Sequence, residues 1–187
     1  MAQAGGAPGL YARDGSLGLT PPDGDGSATM TSGSAVVAHT TAVVNFTSEP
    51  VAEDTVLLGL PRLQLNASQT NSQIAHLIVT LYRQDADGNR EPVNFCAIQP
   101  QLRYGVHDVA PVVPGAEMAL PMSCFTTASW IPAGQSLVME ISSASRHHAI
   151  FNHEAQLTIH TGPEKSAYSL PVVPDATLHD DVPLREG

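Results

Sequence analysis

The sequence predicts an all-β domain, a sandwich of short strands of the jelly-roll type. Its 187 residues include 15 glycines and 15 prolines, which leaves few places for long helices. Short runs of alternating or β-branched residues recur along the chain, and turn residues bound each run. A domain of this length buries roughly 70% of its unfolded surface, so its core stands without a structural metal. Short strands with long, turn-rich connections are typical of a sandwich or jelly roll.

Composition divides the chain into three parts. Residues 1–34 are rich in Gly, Ser, Pro and Asp, and we expect an extended leader or linker outside the core. Residues 35–173 form the predicted jelly-roll sandwich. Residues 174–187 are again polar and contain prolines, and we expect a tail.

The strands predicted within the sandwich share one pattern, an apolar alternating or β-branched run that ends at Gly, Pro, Asn or Asp. In chain order they are residues 35–46, 55–65, 76–83, 93–103, 117–126, 136–142, 155–161 and 167–173. Gly59-Leu60-Pro61 lies inside the second run and indicates a bulge or an edge position. The sixth run alternates cleanly, which places Leu137, Met139 and Ile141 on one face.

The third run, residues 76–83, allows two interpretations. Its apolar residues fit a helical stripe as well as a strand. We favour a strand because Leu77, Val79 and Leu81 alternate along it. The segment also leads directly into turn chemistry at Asp87-Gly88, which predicts a hairpin with the fourth run.

The charge pattern excludes several classes of partner. The net charge is −10, and Lys165 is the only lysine among eight cationic residues, which are scattered singly. A phosphate-binding surface needs clustered Lys and Arg, so we expect neither nucleic acid nor an anionic membrane as a partner. No apolar run is long enough to span a membrane, and the first residues do not resemble a signal peptide. We expect a soluble protein, either cytoplasmic or secreted.

The only two cysteines are Cys96 and Cys124, and both lie in strand-like segments. They either form a disulfide or remain two buried free thiols. A bond between them would stabilise the fold by roughly 3–4 kcal/mol in the chain-entropy model.

The sequence contains no complete catalytic motif. The Gly-x-Ser-x-Gly turn of α/β-hydrolases is absent, as are the Walker loop and the dinucleotide fingerprint. Glu49, Glu53, Asp54 and Glu117 are carboxylates that could meet in space, and we interpret them as solvated loop residues. We therefore expect no catalytic residue in this chain and no cofactor.

Two further features have a functional and a plain interpretation. His147, His148 and His153 are the residues that would bind a metal ion, but we favour a polar loop whose histidines cap turns or lie at a domain interface, and we expect no metal. Trp130 could stack on a sugar or contact a partner, whereas the turn that follows it favours a packing anchor for a loop.

A succession of segments is more specific than any of these single residues. They are residues 44–54 (VNFTSEPVAED), 58–65 (LGLPRLQL), 76–82 (HLIVTLY) with Asp87-Gly88, 98–104, 113–115 (VPG), 131–137 (IPAGQSL) and 141–145 (ISSAS). In order and spacing the set resembles the C-terminal domain of the Xaa-Pro dipeptidyl-peptidase and cocaine-esterase-like (CocE/NonD) serine hydrolases. Residues 10–17 are similar to the segment that joins the hydrolase domain to this one. Gln135 stands where the family usually has His.

The resemblance implies a jelly-roll sandwich of the galactose-binding-like type. In that family the catalytic Ser, Asp and His belong to a preceding α/β-hydrolase domain, so no catalytic residue carries over to this chain. The resemblance implies an accessory domain that packs on an α/β-hydrolase domain of the same or a partner chain. There it would shape the cleft and contribute to oligomer contacts, including a homo-oligomer.

Two other functions stay open at this point. An independent carbohydrate-binding sandwich would show two or three exposed aromatic side chains on one face, and the chain has four Phe, four Tyr and one Trp to supply them. A structural subunit of a larger assembly would order its leader and tail against partners, and the sequence does not separate this function from the accessory one.

Overall fold

The computed structural model describes residues 9–32, 43–70, 75–143 and 155–173. Strands dominate these ranges, and one short 3₁₀ helix (Pro100–Leu102) follows β8. The strands are β1 (Gly9–Ala12), β2 (Ser16–Gly18), β3 (Gly26–Ser32), β4 (Val43–Ser48), β5 (Thr55–Gly59), β6 (Arg62–Thr70), β7 (Leu77–Gln84), β8 (Arg90–Ile98), β9 (Met118–Ser123), β10 (Thr127–Ile131), β11 (Ser136–Ser142), β12 (Ala155–Thr161), β13 (Ala167–Ser169) and β14 (Val172–Val173).

The strands form two sheets. The main sheet runs in the order β3-β12-β6-β13-β1-β2-β4-β11-β7-β8, and β9 pairs with the free side of β6. The second sheet has three strands in the order β10-β5-β14. Pairing is antiparallel except between β2 and β4. This arrangement confirms the prediction of an all-β jelly-roll sandwich, while the galactose-binding-like type stays a prediction.

One hydrophobic core joins the two sheets. Inward side chains of the main sheet, such as Phe46 on β4 and Leu65 on β6, belong to the same buried cluster as Leu57 and Ile131 of the three-stranded sheet. Each of these residues is followed by a more exposed neighbour, as the two-residue period of a strand requires. Tyr168 on β13 is the largest fully buried side chain of the described ranges.

The strand at residues 76–83 is confirmed as β7, which forms a hairpin with β8. The turn depends on the Asp85 carboxylate, whose Oδ1 accepts hydrogen bonds from the backbone N–H groups of Asp87 (3.0 Å) and Asn89 (2.9 Å). Gly88 has φ of 86°, a left-handed conformation that glycine adopts without steric cost. The Asp-Gly signal in the sequence therefore identifies the turn correctly.

Other predicted strands differ at their ends. The second run is divided into β5 and β6 at Gly59-Leu60-Pro61, where Gly59 has φ of 139°. The fourth run ends at Ile98, because the chain enters the 3₁₀ helix at Pro100. Trp130, which the sequence predicts to be a packing anchor for a loop, lies within strand β10.

The structure also differs from the predicted leader. Within residues 1–34 the strands β1, β2 and β3 all belong to the main sheet, and Leu10, Leu17 and Met30 are buried in the core. These strands are short and separated by Asp-, Gly- and Pro-rich turns, so the composition of the whole segment hides them. The described part of the leader is therefore core structure. The predicted tail, residues 174–187, lies outside the described residues.

No helix in the described ranges is both long and apolar enough to cross a membrane.

We predict that Leu10→Ala destabilises the domain by about 2–5 kcal/mol, because it removes a buried side chain and leaves a cavity. Leu10 is 6% exposed and Leu19 is 72% exposed, so Leu19→Ala is a matched control that changes stability by less than about 0.5 kcal/mol. Urea unfolding followed by circular dichroism measures both. Equal midpoints for Leu10→Ala and the parent chain would show that the first strand is not part of the core.

Candidate functional site

The outer side of the three-stranded sheet is apolar. Leu57 on β5 and Ile131 on β10 point into the core, so their neighbours along each strand point away from it. We call this surface the apolar face, and it consists of Val56, Leu58, Ala128, Trp130 and Val173.

The strand register brings these side chains together. Leu58 pairs with Ala128, and Val56 pairs with Trp130 on one side and with Val173 on the other. Leu58 is 58% exposed and Trp130 is 44% exposed. A contiguous apolar surface with a large aromatic side chain is typical of a docking site.

A disulfide supports one edge of the apolar face. Cys96 on β8 is bonded to Cys124, and their Cα atoms are 4.4 Å apart. The next residue, Phe125, is 67% exposed, and its ring stacks on Phe95 with centroids 5.7 Å apart. The bond therefore fixes the segment that leads into β10 and Trp130.

A buried polar group at the same place adds to this support. The Tyr168 hydroxyl donates to Asn94 Oδ1 (2.8 Å), and Asn94 Nδ2 donates to the carbonyl oxygen of Phe125 (2.6 Å). Cys96 Sγ lies 3.5 Å from the same hydroxyl. Burial raises the pKa of Tyr168, so the hydroxyl keeps the proton that it donates.

Arg83 on β7 holds the other end of β10. Its Nη1 donates to the carbonyl oxygen of Trp130 (2.6 Å), and its guanidinium forms an ion pair with Glu91. The backbone of Trp130 is thus attached to the main sheet, while its side chain stays 44% exposed.

The loop between β8 and β9, residues 99–117, carries a second set of exposed apolar side chains. They are Tyr104, Val106, Val109 and Val113. Arg103 orders the loop because its Nη atoms donate to three carbonyl oxygens, those of Pro100 (3.0 Å), Ala110 (3.4 Å) and Pro111 (3.2 Å). The loop therefore presents its apolar side chains from a defined backbone.

A hydroxyl and an imidazole meet on the outer side of the main sheet. Ser68 Oγ on β6 lies 2.9 Å from His160 Nε2 on β12. Ser68 is buried within a strand, 7% exposed, whereas the nucleophilic serine of an α/β-hydrolase is exposed on a sharp turn. We interpret this pair as a cross-strand contact.

Carboxylates and a lysine extend this contact into a polar network. Glu117 Oε1 accepts from Asn66 Nδ2 (2.9 Å), and Lys165 Nζ donates to Glu117 Oε2 (3.2 Å) and Asp25 Oδ2 (3.1 Å). The hydrogen bond from Asn66, together with Lys165 and His160 nearby, lowers the pKa of Glu117. The hydrogen bonds to Asp25 and Glu117 raise the pKa of Lys165.

The functional residues predicted from the sequence lie in different parts of the structure. His147, His148 and His153 lie outside the described residues, and the described ranges hold no group of three metal-ligating side chains. Cys96 and Cys124 meet. Trp130 lies at the apolar face, and sequence reasoning missed its neighbours because only strand register shows which residues share a surface.

A family model, the C-terminal non-catalytic domain of X-Pro dipeptidyl-peptidase, matches residues 6–168. The chain belongs to this family. The resemblance noted in the sequence is thereby confirmed, and the match includes β1, β2 and β3. No protein of curated function matches the sequence.

Solved structures share the fold of this C-terminal non-catalytic domain. An α-amino acid ester hydrolase is 18% identical over 89% of this chain, with a TM-score of 0.70. A CocE/NonD family hydrolase from Staphylococcus aureus is 15% identical over 90% of it, with a TM-score of 0.74. An aminopeptidase from a marine sediment Thaumarchaeota archaeon is 14% identical over 88% of it, with a TM-score of 0.71. The chain spans only 36%, 37% and 36% of these three proteins, respectively.

We predict that the double variant Cys96→Ala and Cys124→Ala loses about 3–4 kcal/mol of unfolding free energy in the chain-entropy model. The bond closes a loop with a sequence separation of 28, which the variant leaves open. Urea unfolding without reductant measures the loss. Adding reductant should lower the free energy of unfolding of the parent chain and leave that of the double variant unchanged. A parent chain that carries two free thiols in mass spectrometry after alkylation contradicts the prediction.

We predict that Glu117 contributes to stability above its ordinary pKa of 4.5 and loses this contribution as the pH falls. The sign follows because the folded pKa is lowered, so protonation on acidification favours the unfolded chain. Glu117→Gln should therefore show a smaller loss of unfolding free energy between neutral pH and about pH 3. Glu164→Gln is the control, because Glu164 is an exposed glutamate next to Lys165 in the chain. Equal pH slopes for the Glu117→Gln and parent chains contradict the prediction.

Proposed function

We propose that this non-catalytic domain docks on an α/β-hydrolase domain of the same or a partner chain through the apolar face. The observation that carries the proposal is the apolar face itself, an outward sheet surface with Leu58 and Trp130 exposed. Chemistry would take place in the hydrolase domain, and this domain would contribute packing and the shape of the cleft. The share of the related hydrolases that the chain spans, 36–37%, leaves room for such a domain.

The apolar face has the composition of an interface core. Burying a side chain of the size of Leu58 stabilises a complex by roughly 1.5–3 kcal/mol. Tryptophan is among the residues that most often dominate binding energy, and well-packed aromatic anchors lie near the centre of an interface. The disulfide and the Arg83 contact hold this anchor before binding, so little conformational entropy is lost on docking.

We propose a second role for the loop at residues 99–117, which would form one wall of the substrate cleft. Binding residues are often carried on loops that a rigid scaffold positions. Arg103 supplies that rigidity here, and its guanidinium also lies 4.8 Å from the ring centroid of Tyr104. The apolar side chains of the loop would exclude water from the mouth of the cleft.

We predict that the chain and the α/β-hydrolase domain encoded with it form a stable complex that buries about 1,600 Å² or more. Trp130→Ser should weaken the complex about tenfold or more, because it removes an aromatic anchor. Gel filtration at micromolar concentration and isothermal titration calorimetry measure the association. The variant keeps the hydrogen bond from Arg83, since that bond uses the backbone of Trp130.

Leu19→Ser is the matched control, because Leu19 is exposed and belongs neither to the apolar face nor to the loop at residues 99–117. Absence of a complex with the parent chain, or equal affinity for the Trp130→Ser and parent chains, contradicts docking through this face. Binding of the isolated chain to a glycan array that is lost in Trp130→Ala would instead favour the independent carbohydrate-binding function. Assembly of the chain into homo-oligomers stays a prediction, and the same gel filtration reports it.

A further inference from the structure

The outer side of the main sheet contains a groove whose chemistry differs from that of the apolar face. The groove crosses four strands, in the order β9-β6-β13-β1, and has a volume of about 640 Å³. Its lining includes Tyr11, Arg62, Gln64, Pro121, Ser123 and Ser169.

The strand register explains why these side chains share one surface. Arg62 pairs with Ser123 on one side of β6 and with Ser169 on the other. Two residues further along β6, Gln64 forms the next row and points the same way. The intervening residue Leu63 is buried in the core.

Arg62 is unusual among the cations of the described ranges. Arg83, Arg90 and Lys165 form ion pairs, Arg13 donates to the carbonyl and hydroxyl oxygens of Thr20, and Arg103 donates to backbone carbonyl groups. No carboxylate of the described ranges lies within salt-bridge distance of Arg62, although the chain has 18 acidic residues. Among the described residues the Arg62 guanidinium thus has no carboxylate partner, and in the groove of an acidic protein it offers its charge to a ligand.

The groove suits a carboxylate with a short aliphatic stem. A guanidinium presents parallel N–H groups that match the two oxygens of a carboxylate. The Gln64 amide and the hydroxyls of Ser123 and Ser169 can bond to the peptide groups beside such a stem. Pro121 supplies an apolar wall. Tyr11 is the only aromatic side chain in the lining, whereas sugar binding is typical of a surface with several such rings.

We infer that this groove is a binding site for an acidic peptide segment, in which Arg62 pairs with an Asp or Glu side chain. The inference is independent of docking through the apolar face, because the two surfaces belong to different sheets. An acidic segment can therefore bind whether or not the hydrolase domain is present.

The test uses the parent chain alone, labelled with ¹⁵N for NMR, and three probes. The probes are the blocked tripeptide Ala-Glu-Ala, its neutral counterpart Ala-Gln-Ala, and D-glucuronate. We predict that Ala-Glu-Ala shifts the amide signals of residues 62–64, 122–123 and 167–169. The neutral tripeptide should bind at least about tenfold more weakly, since the charge-assisted hydrogen bonds are lost. Higher salt should weaken the binding of Ala-Glu-Ala.

Two variants separate the groove from the charge of the whole chain. Arg62→Gln should abolish the shifts at the groove. Arg90→Gln removes an equal charge from an exposed position on β8 and should leave the binding unchanged. Equal binding of both tripeptides, binding that survives Arg62→Gln, or absence of shifts at millimolar peptide overturns the inference. Preference for D-glucuronate over Ala-Glu-Ala overturns the assignment to a peptide and indicates an acidic sugar.

Discussion

The alternation of strand β6 is the constraint on which most of the structure depends. The inward residues Leu63, Leu65 and Ala67 enter the core, and the polar residues between them stay on the outside. β6 pairs with β9 along one side and with β13 and β12 along the other. A shift of one residue in its register would therefore bury Arg62 and expose the leucines, and it would break three strand pairings at once. Leu60-Pro61 joins β5 directly to the start of β6, so the register of β6 also fixes the position of the second sheet.

A second constraint connects the core to the apolar face. Asn94 is a buried amide that would be costly to leave unpaired, and its partners are the Tyr168 hydroxyl and the Phe125 carbonyl. These two hydrogen bonds, together with the disulfide, join β8 and β13 to the segment that begins β10. The position of Trp130 on the surface is thus determined by polar groups inside the core. A docking surface supported in this way needs little rearrangement when a partner binds.

The sequence predicts the fold class and the strands of the sandwich better than it predicts which strands pair with each other. Alternation identifies β7 and β11, and Asp87-Gly88 identifies the hairpin turn, because these signals are local. The strands before residue 34 are missed, since three to seven residues between Gly- and Pro-rich turns show too little period to stand out. The surface around Trp130 is missed for another reason. Leu58 is far from Trp130 in sequence, and only the antiparallel pairing of β5 with β10 makes them neighbours.

The two surfaces differ in what each can bind, and the difference follows from desolvation. Burying the apolar face is favourable because water leaves it, so this face suits a large partner that stays bound. The groove around Arg62 is lined by polar groups, and a ligand must replace the water on the guanidinium and hydroxyls with equivalent hydrogen bonds. Such a site is suited to a small acidic ligand that binds and leaves. A domain without a catalytic site of its own would thus use one sheet for permanent association and the other for reversible recognition.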